Sequence, residues 1–402
     1  MPYPSYNLLD PAVIANPYPL YHRMRTECPV YWDEEHQRWL ITSYADALSV
    51  LGDPQRFSST IIVPSPDISE QRRQIVKNIA NPVLLIDPPS HTRVRKLMEK
   101  AYTQNSIEEI RERLQQFVNG LLDQAQESGH MDIVRDLAAP LSFITVMTEV
   151  LGIPVKEAPQ FNQWAFDFGR IVGNAPTTPE DDQQILKSLL EINDFFGSIV
   201  EQRRREPKLD FITALIFAQE QGDHLSQQEI ISNIMMMFAA ALAPSNFMIG
   251  NSILALLSNS EQMQKLQGDP SLSKSAVDEL LRYESPIQWP IRRATEDIEL
   301  HNQLIRKGQV VLVGIGAANH DPAQFSDPDQ LDITRADNRH LAFGHGPHLC
   351  IAWILVRIQG QIAINTLLHR TRKLRLEIDK PEWIGAPALR GPMSLPVTLK
   401  EQ

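Results

Sequence analysis

IISNIMMMFAAALAPSNFMIGNSILALL, residues 230–257, contains no charged side chain. Whether it crosses a bilayer or fills the core of a globular protein decides the fold. Its length suffices for a bilayer, which takes about 20 apolar residues. Its polar content opposes that reading: Ser232, Asn233, Ser245, Asn246, Asn251 and Ser252 interrupt the run, and such groups are costly against lipid. Ser226 followed by Glu229 reads as a capping box, predicting a helix over about 226–258 that is roughly 50 Å long at 1.5 Å per residue. A helix that is apolar all round must be surrounded by other elements. The expected fold is therefore mainly α with small β-sheets, one large domain over residues 1–402 with a long central helix and no membrane anchor.

Outward from that helix the same period recurs. Ser106 and Glu109 form a second capping box ahead of Ile107, Ile110, Leu114, Phe117, Val118, Leu121 and Leu122, and similar spacing marks helices near 137–152, 185–204, 273–284 and 351–369. Strand-like runs are short: Trp39–Thr42, Gln309–Gly314 and Leu374–Glu377. No repeat or low-complexity linker divides the chain. The irregular stretch 58–89 is expected to wall a pocket, because long ordered loops in compact domains are commonly functional.

Composition narrows the function. In 402 residues, 38 Lys and Arg stand against 49 Asp and Glu, a net charge of −11, which offers no electrostatic footprint for a nucleic acid. Two cysteines, Cys28 and Cys350, cannot supply an iron–sulfur cluster or a four-thiolate zinc site. The first 30 residues have neither a basic start nor an apolar run, so no signal peptide is expected and a reducing cytoplasm is the default.

Chemistry concentrates in HLAFGHGPHLCIAW, residues 340–353. This glycine- and proline-containing loop delivers Cys350 to the expected start of a helix, where free N–H groups and the dipole stabilise a thiolate. Gly344 and Gly346 permit close approach of a flat ligand. The residues alone leave four readings open: an axial thiolate for haem iron, a zinc site of His340, His345, His348 and Cys350, a cysteine nucleophile paired with a histidine, and a structural cysteine. Zinc would require four ligands from one short loop, and no G-x-S-x-G elbow or cysteine-protease signature supports a hydrolase.

The run Phe343 to Ala352 resembles the haem-binding loop of the cytochrome P450 superfamily, F-G-x-G-x-H-x-C-x-G/A. Glu279-Leu-Leu-Arg282 is similar to the family's E-x-x-R helix, and the segment Asp87 to Arg95 is similar to the one that supplies a histidine and an arginine to the haem propionates. Arg292-Arg-Ala-Thr-Glu-Asp, Asn319-His-Asp-Pro, Asp327-Pro-Asp and Leu389-Arg-Gly follow in the family's order, so the resemblance spans residue 10 to the end. It implies haem b with iron bound by the Cys350 thiolate, and propionates held by His91, Arg95, Arg292 and His348. It also implies a structural pair Glu279–Arg282 with Arg335 as third member, and electrons from a separate ferredoxin or flavodoxin. Arg93, Lys96 and Lys100 are expected to form a basic patch that attracts an acidic donor. The family's substrate-contact segments fall on Val83, Met236, Ala239, Ala240, Gln288, Trp289, Ile291 and Met393, which suggests a sizeable apolar or natural-product-like substrate.

The central helix departs from the family. Most members carry A-G-x-[D/E]-T, whose carboxylate and hydroxyl deliver protons during oxygen activation; here Ala243 and Pro244 occupy both positions. Pro244 removes a donor and frees the Ala240 carbonyl, so a kink is expected, and Ser245 or Asn246 could hold a relaying water. Three activities remain open: a monooxygenase with a water- or substrate-assisted relay, a peroxide-driven or non-oxygenating haem enzyme performing isomerisation, dehydration or coupling, and a silent haem-binding accessory protein.

Overall fold

A computed structural model of the chain describes residues 5–61, 82–101, 104–154, 160, 161, 163, 164, 167, 178–220, 222–371 and 373–399. Two compact units form, one from residues 1–58, 111–141 and 244–402, the other from 59–110 and 142–243. The long helix Gln227–Ser258 contributes to both, the division falling between Ala243 and Pro244.

The first unit holds the sheets. Its main sheet has five strands in the order Val30–Asp33, Arg38–Ile41, Val310–Val313, Ile291–Ala294 and Phe57–Ser58. Arg38–Ile41 and Val310–Val313 run parallel, with Trp39 opposite Val311 and Ile41 opposite Val313; the other three pairings are antiparallel. One face packs Trp39, Ile41, Val311 and Val313 with Tyr44, Val50 and Leu51 of the helix Tyr44–Gly52. The other face packs Leu40 and Leu312 with Tyr21, Met24, Tyr31 and Trp289. Strand alternation supplies both sets, since successive side chains point to opposite faces. Small sheets of three strands and two strands complete the β content, and the helices Ser273–Tyr283 and Trp353–Arg370 lie in the same unit.

The described helices of the second unit include Ser90–Ala101, Pro179–Arg205, Phe211–Phe217 and the first half of the central helix. Glu229 N–H donates to Ser226 Oγ (3.2 Å) and Ser226 N–H to Glu229 Oε2 (2.8 Å), the reciprocal capping box that starts the central helix. That helix is the one element among the described residues long and apolar enough to cross a membrane. It is a core helix at both ends: Ile230–Met236 and Phe247–Ile253 are buried.

Some boundaries differ from expectation. The helix Gln104–Ser128 begins ahead of Ser106, and the side chains of Ser106, Ile107 and Glu109 lie outside the described residues, as do residues 62–81 of the stretch 58–89. The segment near 137–152 is two π-helical stretches, Ile133–Ala138 and Thr145–Val150, flanking one short α-helix; apolar periodicity marks the buried face without distinguishing these windings.

Candidate active site

The cysteine loop is a closed turn. Cys350 N–H donates to Phe343 O (2.9 Å), Gly344 N–H to Leu341 O (2.8 Å) and Leu349 N–H to Gly346 O (3.1 Å). Gly344 and Gly346 sit at φ of +75° and +72°, the left-handed region open to glycine. A Cβ on Gly346 would stand 2.7 Å from Leu51 O, so the loop lies directly against the end of the Tyr44–Gly52 helix. Cys350 is partly exposed. The next helix begins at Trp353 with Ala352 as N-cap, so Cys350 lies just ahead of the helix start, as the sequence led one to expect.

His340 anchors the start of the loop rather than a metal. Its Nδ1 accepts from Ala342 N–H (3.2 Å) and its Nε2 faces Asp278 at 3.5 Å. Burial pushes the imidazole pKa down, against a smaller upward pull from Asp278. Burial likewise pushes the Asp278 carboxyl up, but His340 and Arg357 together hold it below its ordinary value. The Arg357 guanidinium lies 4.7 Å from the Phe343 and Trp353 ring centres. No cluster of three or more His, Cys, Asp and Glu suited to a metal ion exists among the described residues, and the zinc reading falls with it.

Beneath the loop, Arg282 Nε and Nη2 donate to the two Glu279 carboxylate oxygens at 2.8 Å each. Arg335 Nε adds a bond to Glu279 Oε2 (3.1 Å), as does Asn338 Nδ2 (3.1 Å). Arg282 also donates to the backbone carbonyls of Asn319 (2.8 Å) and Pro328 (2.7 Å). Asn319 carries the connection onward, its Oδ1 accepting from Leu341 N–H at 2.7 Å. The path Glu279, Arg282, Asn319, Leu341, Gly344 thus reaches the cysteine loop through hydrogen bonds alone. Asn319 and Asn338 are the members that sequence reasoning assigned no role; the Asn319-His-Asp-Pro motif was the signal for the first.

Other residues of this unit divide. Arg292 is a buried strand residue whose Nη1 donates to Ile291 O (2.8 Å). Gln288 and Trp289, expected in the pocket, are core residues instead. Trp289 Nε1 donates to Tyr21 OH (3.0 Å), Tyr21 OH donates to Gln288 Oε1 (3.0 Å), Gln288 Nε2 donates to Ser285 O (2.7 Å), and both residues are 2% exposed. Period-2 alternation does not reveal which face of an approaching chain turns inward. Ile291 packs against the same cluster, whereas Met393 is 53% exposed.

In the helical unit, His91 lies buried on Ser90–Ala101, its pKa lowered first by burial and then by Arg95. Arg95 Nε donates to Glu99 Oε1 at 2.7 Å. Two of the three members of the expected basic patch are paired, Arg93 with Asp223 and Glu229 and Lys100 with Glu220, while Lys96 is exposed. Val83 and Met236 are buried. Along the central helix burial lapses between its two covered ends, where Ala240 is exposed and Ala239, Ala241, Leu242, Ala243 and Pro244 are partly so. Ser245 is buried, and Asn246 Oδ1 is buried without a hydrogen-bond partner among the described residues. The helix continues through Pro244 to Ser258.

A thiol held on a hydrogen-bonded loop, with the buried Arg292 in the same unit, suits a cofactor that offers a thiolate-seeking metal and acidic groups. The family model described as Cytochrome P450 matches residues 271–382. Cytochrome P450 CYP107DY1 of Priestia megaterium is 38% identical over 371 residues, covering 89% of each chain. The chain is a cytochrome P450.

Two further likenesses place this P450 among bacterial relatives. The cytochrome P450 monooxygenase PikC of Streptomyces venezuelae is 34% identical, with 95% of this chain and 91% of that protein covered. The solved structure of the bacillaene polyketide synthase cytochrome P450 PksS of Bacillus subtilis matches with a TM-score of 0.89 and 32% identity over 99% of this chain and 100% of that one. The protein thus has the P450 fold, belongs to the haem-thiolate monooxygenase family with relatives in bacterial secondary metabolism, and carries haem b bound through a cysteine thiolate.

Proposed function

We propose that this P450 is a monooxygenase of an apolar or natural-product-like small molecule, with Cys350 as its iron ligand and residues 1–402 acting as one catalytic domain. The observation that carries the reading is the turn that fastens Cys350 N–H to Phe343 O, because it holds the sulfur on a preset loop. When bound, the haem supplies the activation of dioxygen. His91, Arg95, Arg292 and His348 are donors suited to its two propionates, and Arg95 would exchange its Glu99 partner for one of them. Ala239, Ala240 and Ala243 leave room for a bulky substrate, Met236 and Met393 adapt to its outline, and Val83 bounds the space. Names of relatives that mention polyketides support the substrate class. Electrons arrive from a ferredoxin- or flavodoxin-type donor, and the enzyme works in the cytoplasm.

Ala243 and Pro244 provide no acid–alcohol pair. The proton path then falls to Ser245 and Asn246. The buried Asn246 Oδ1 is an acceptor that a water molecule would satisfy, and the Ala240 carbonyl, whose usual donor is removed by Pro244, is a second. The same missing pair favours one alternative, a peroxide-driven or non-oxygenating reaction at the haem, since neither requires that relay.

The deciding experiment is spectral. The purified protein, reduced and exposed to carbon monoxide, should give the signature of a thiolate-ligated haem, and Cys350→Ser should abolish it. Retention of that signature in the variant would refute the assignment. Oxidation supported by NADPH and a ferredoxin system faster than by hydrogen peroxide separates the monooxygenase from its alternative.

A further inference from the structure

Asn233 has no solvent exposure and sits in an apolar stretch of the central helix. A buried amide is costly unless its polar atoms are matched. Its Nδ2 donates to Glu229 O (2.8 Å) within its own helix, while its Oδ1 accepts the backbone N–H of Val83, also at 2.8 Å. Val83 opens the 3₁₀ turn Val83–Leu85, and the far side of that turn is fastened separately. Thr60 Oγ1 donates to Leu85 O (3.3 Å), and Ser59 N–H donates to Asp87 Oδ1 (2.8 Å). Among the described residues, the amide of Asn233 thus ties the near side of the turn to the helix.

Helical spacing gives this bond a direction. Asn233 and Ala240 are seven residues apart on one face, a rise of about 10 Å. Ala240 is exposed and Met237, one turn toward the N-terminus, is partly so, whereas Met236 and Asn233 are buried. The accessible face of the helix thus ends, in that direction, below the turn that Asn233 holds. We infer that Asn233 is a positioning residue that sets the depth of the substrate space by clamping the Val83 backbone onto the central helix. The inference rests on the reading of Ala240 and Val83 as pocket lining given under Proposed function.

The test uses 1-alkylimidazoles of increasing chain length on the haem-loaded protein. The ring nitrogen ligates iron and shifts the haem spectrum, and the alkyl chain measures depth. With the unaltered protein, affinity should climb about fourfold per methylene until the chain meets the turn, and then level off. Asn233→Ala removes the acceptor. Val83→Pro removes the donor at a position preceded by Pro82, whose ψ of 151° already suits a following proline. In each variant the levelling should move to longer chains, and the longest compounds should gain roughly fifteenfold over the butyl compound, about two methylenes' worth. Combining the two should shift it no further than either alone, because both delete one bond. An unmoved plateau in either folded variant, or additive shifts in the pair, would overturn the inference. Imidazole itself is the separate control: its failure to bind the unaltered protein would instead refute the haem-pocket reading.

Discussion

Glu279 and Arg282, one helical turn apart, form a two-pronged ion pair in which neither side chain has any exposure to solvent. A surface pair at this spacing would contribute a few tenths of a kcal/mol. Here both ions are dehydrated and saturated with hydrogen bonds, so the cost lies in separating them. Arg282→Lys keeps the charge but cannot reproduce the fork or reach the carbonyls of Asn319 and Pro328. The expected loss is about 3 kcal/mol or more, read as a lowered denaturation midpoint together with poor haem retention, because the network continues through Asn319 to Leu341.

The Trp289–Tyr21–Gln288 chain makes a different forecast. Trp289→Phe keeps the ring but leaves Tyr21 OH without that donor, at a cost of about 1–3 kcal/mol. Since these side chains face the core, thermal stability should fall while the alkylimidazole titration stays as it was. A changed titration with unchanged stability would return Trp289 to the pocket.

Asp329 offers a pH test. His320 and His22 both bond its carboxylate, first His320 and then His22, and hold its pKa down to about 2. A carboxylate depressed in the folded state stabilises above its unfolded value, near 3.9, and loses that contribution as the pH falls through its folded value. The advantage of the unaltered protein over Asp329→Asn in urea denaturation should be level near neutrality and close between about pH 4 and 2. Because Asp329 is 58% exposed, added salt should shrink the difference.

The proton path can be rebuilt as well as removed. Pro244→Thr with Ala243→Asp should raise oxygen-dependent turnover by on the order of tenfold or more if a positioned acid is what limits the rate. Ser245→Ala and Asn246→Ala, made separately, should slow it. If neither does, a hydroxyl of the substrate carries the proton.

Much of this was legible in the chain itself. Ser226 and Glu229 announced the start of the central helix, and the charge-free run after them required a covered helix. The resemblance of residues 343–352 carried the cofactor. The misplaced residues share a cause. Gln288 and Trp289 lie on a segment whose direction is set by Tyr21, more than 260 positions away, and no local period encodes that partner. Arg93, Lys96 and Lys100 read as a basic patch because Glu220, Asp223 and Glu229, which pair with the first and last of them, come from a distant stretch. Asn233 bonds the backbone N–H of Val83, a kind of contact that leaves no compositional trace.

The parallel pairing of Arg38–Ile41 with Val310–Val313 has a consequence for biosynthesis. The earlier strand leaves the ribosome roughly 270 residues before its neighbour exists, an interval of roughly 15 to 50 s at usual elongation rates. During that time its outer hydrogen-bonding edge is open to any extended segment nearby, the situation in which nascent chains aggregate or engage chaperones. Yield in a foreign host should therefore respond to chaperone supply and growth temperature more steeply than the stability of the finished enzyme would suggest.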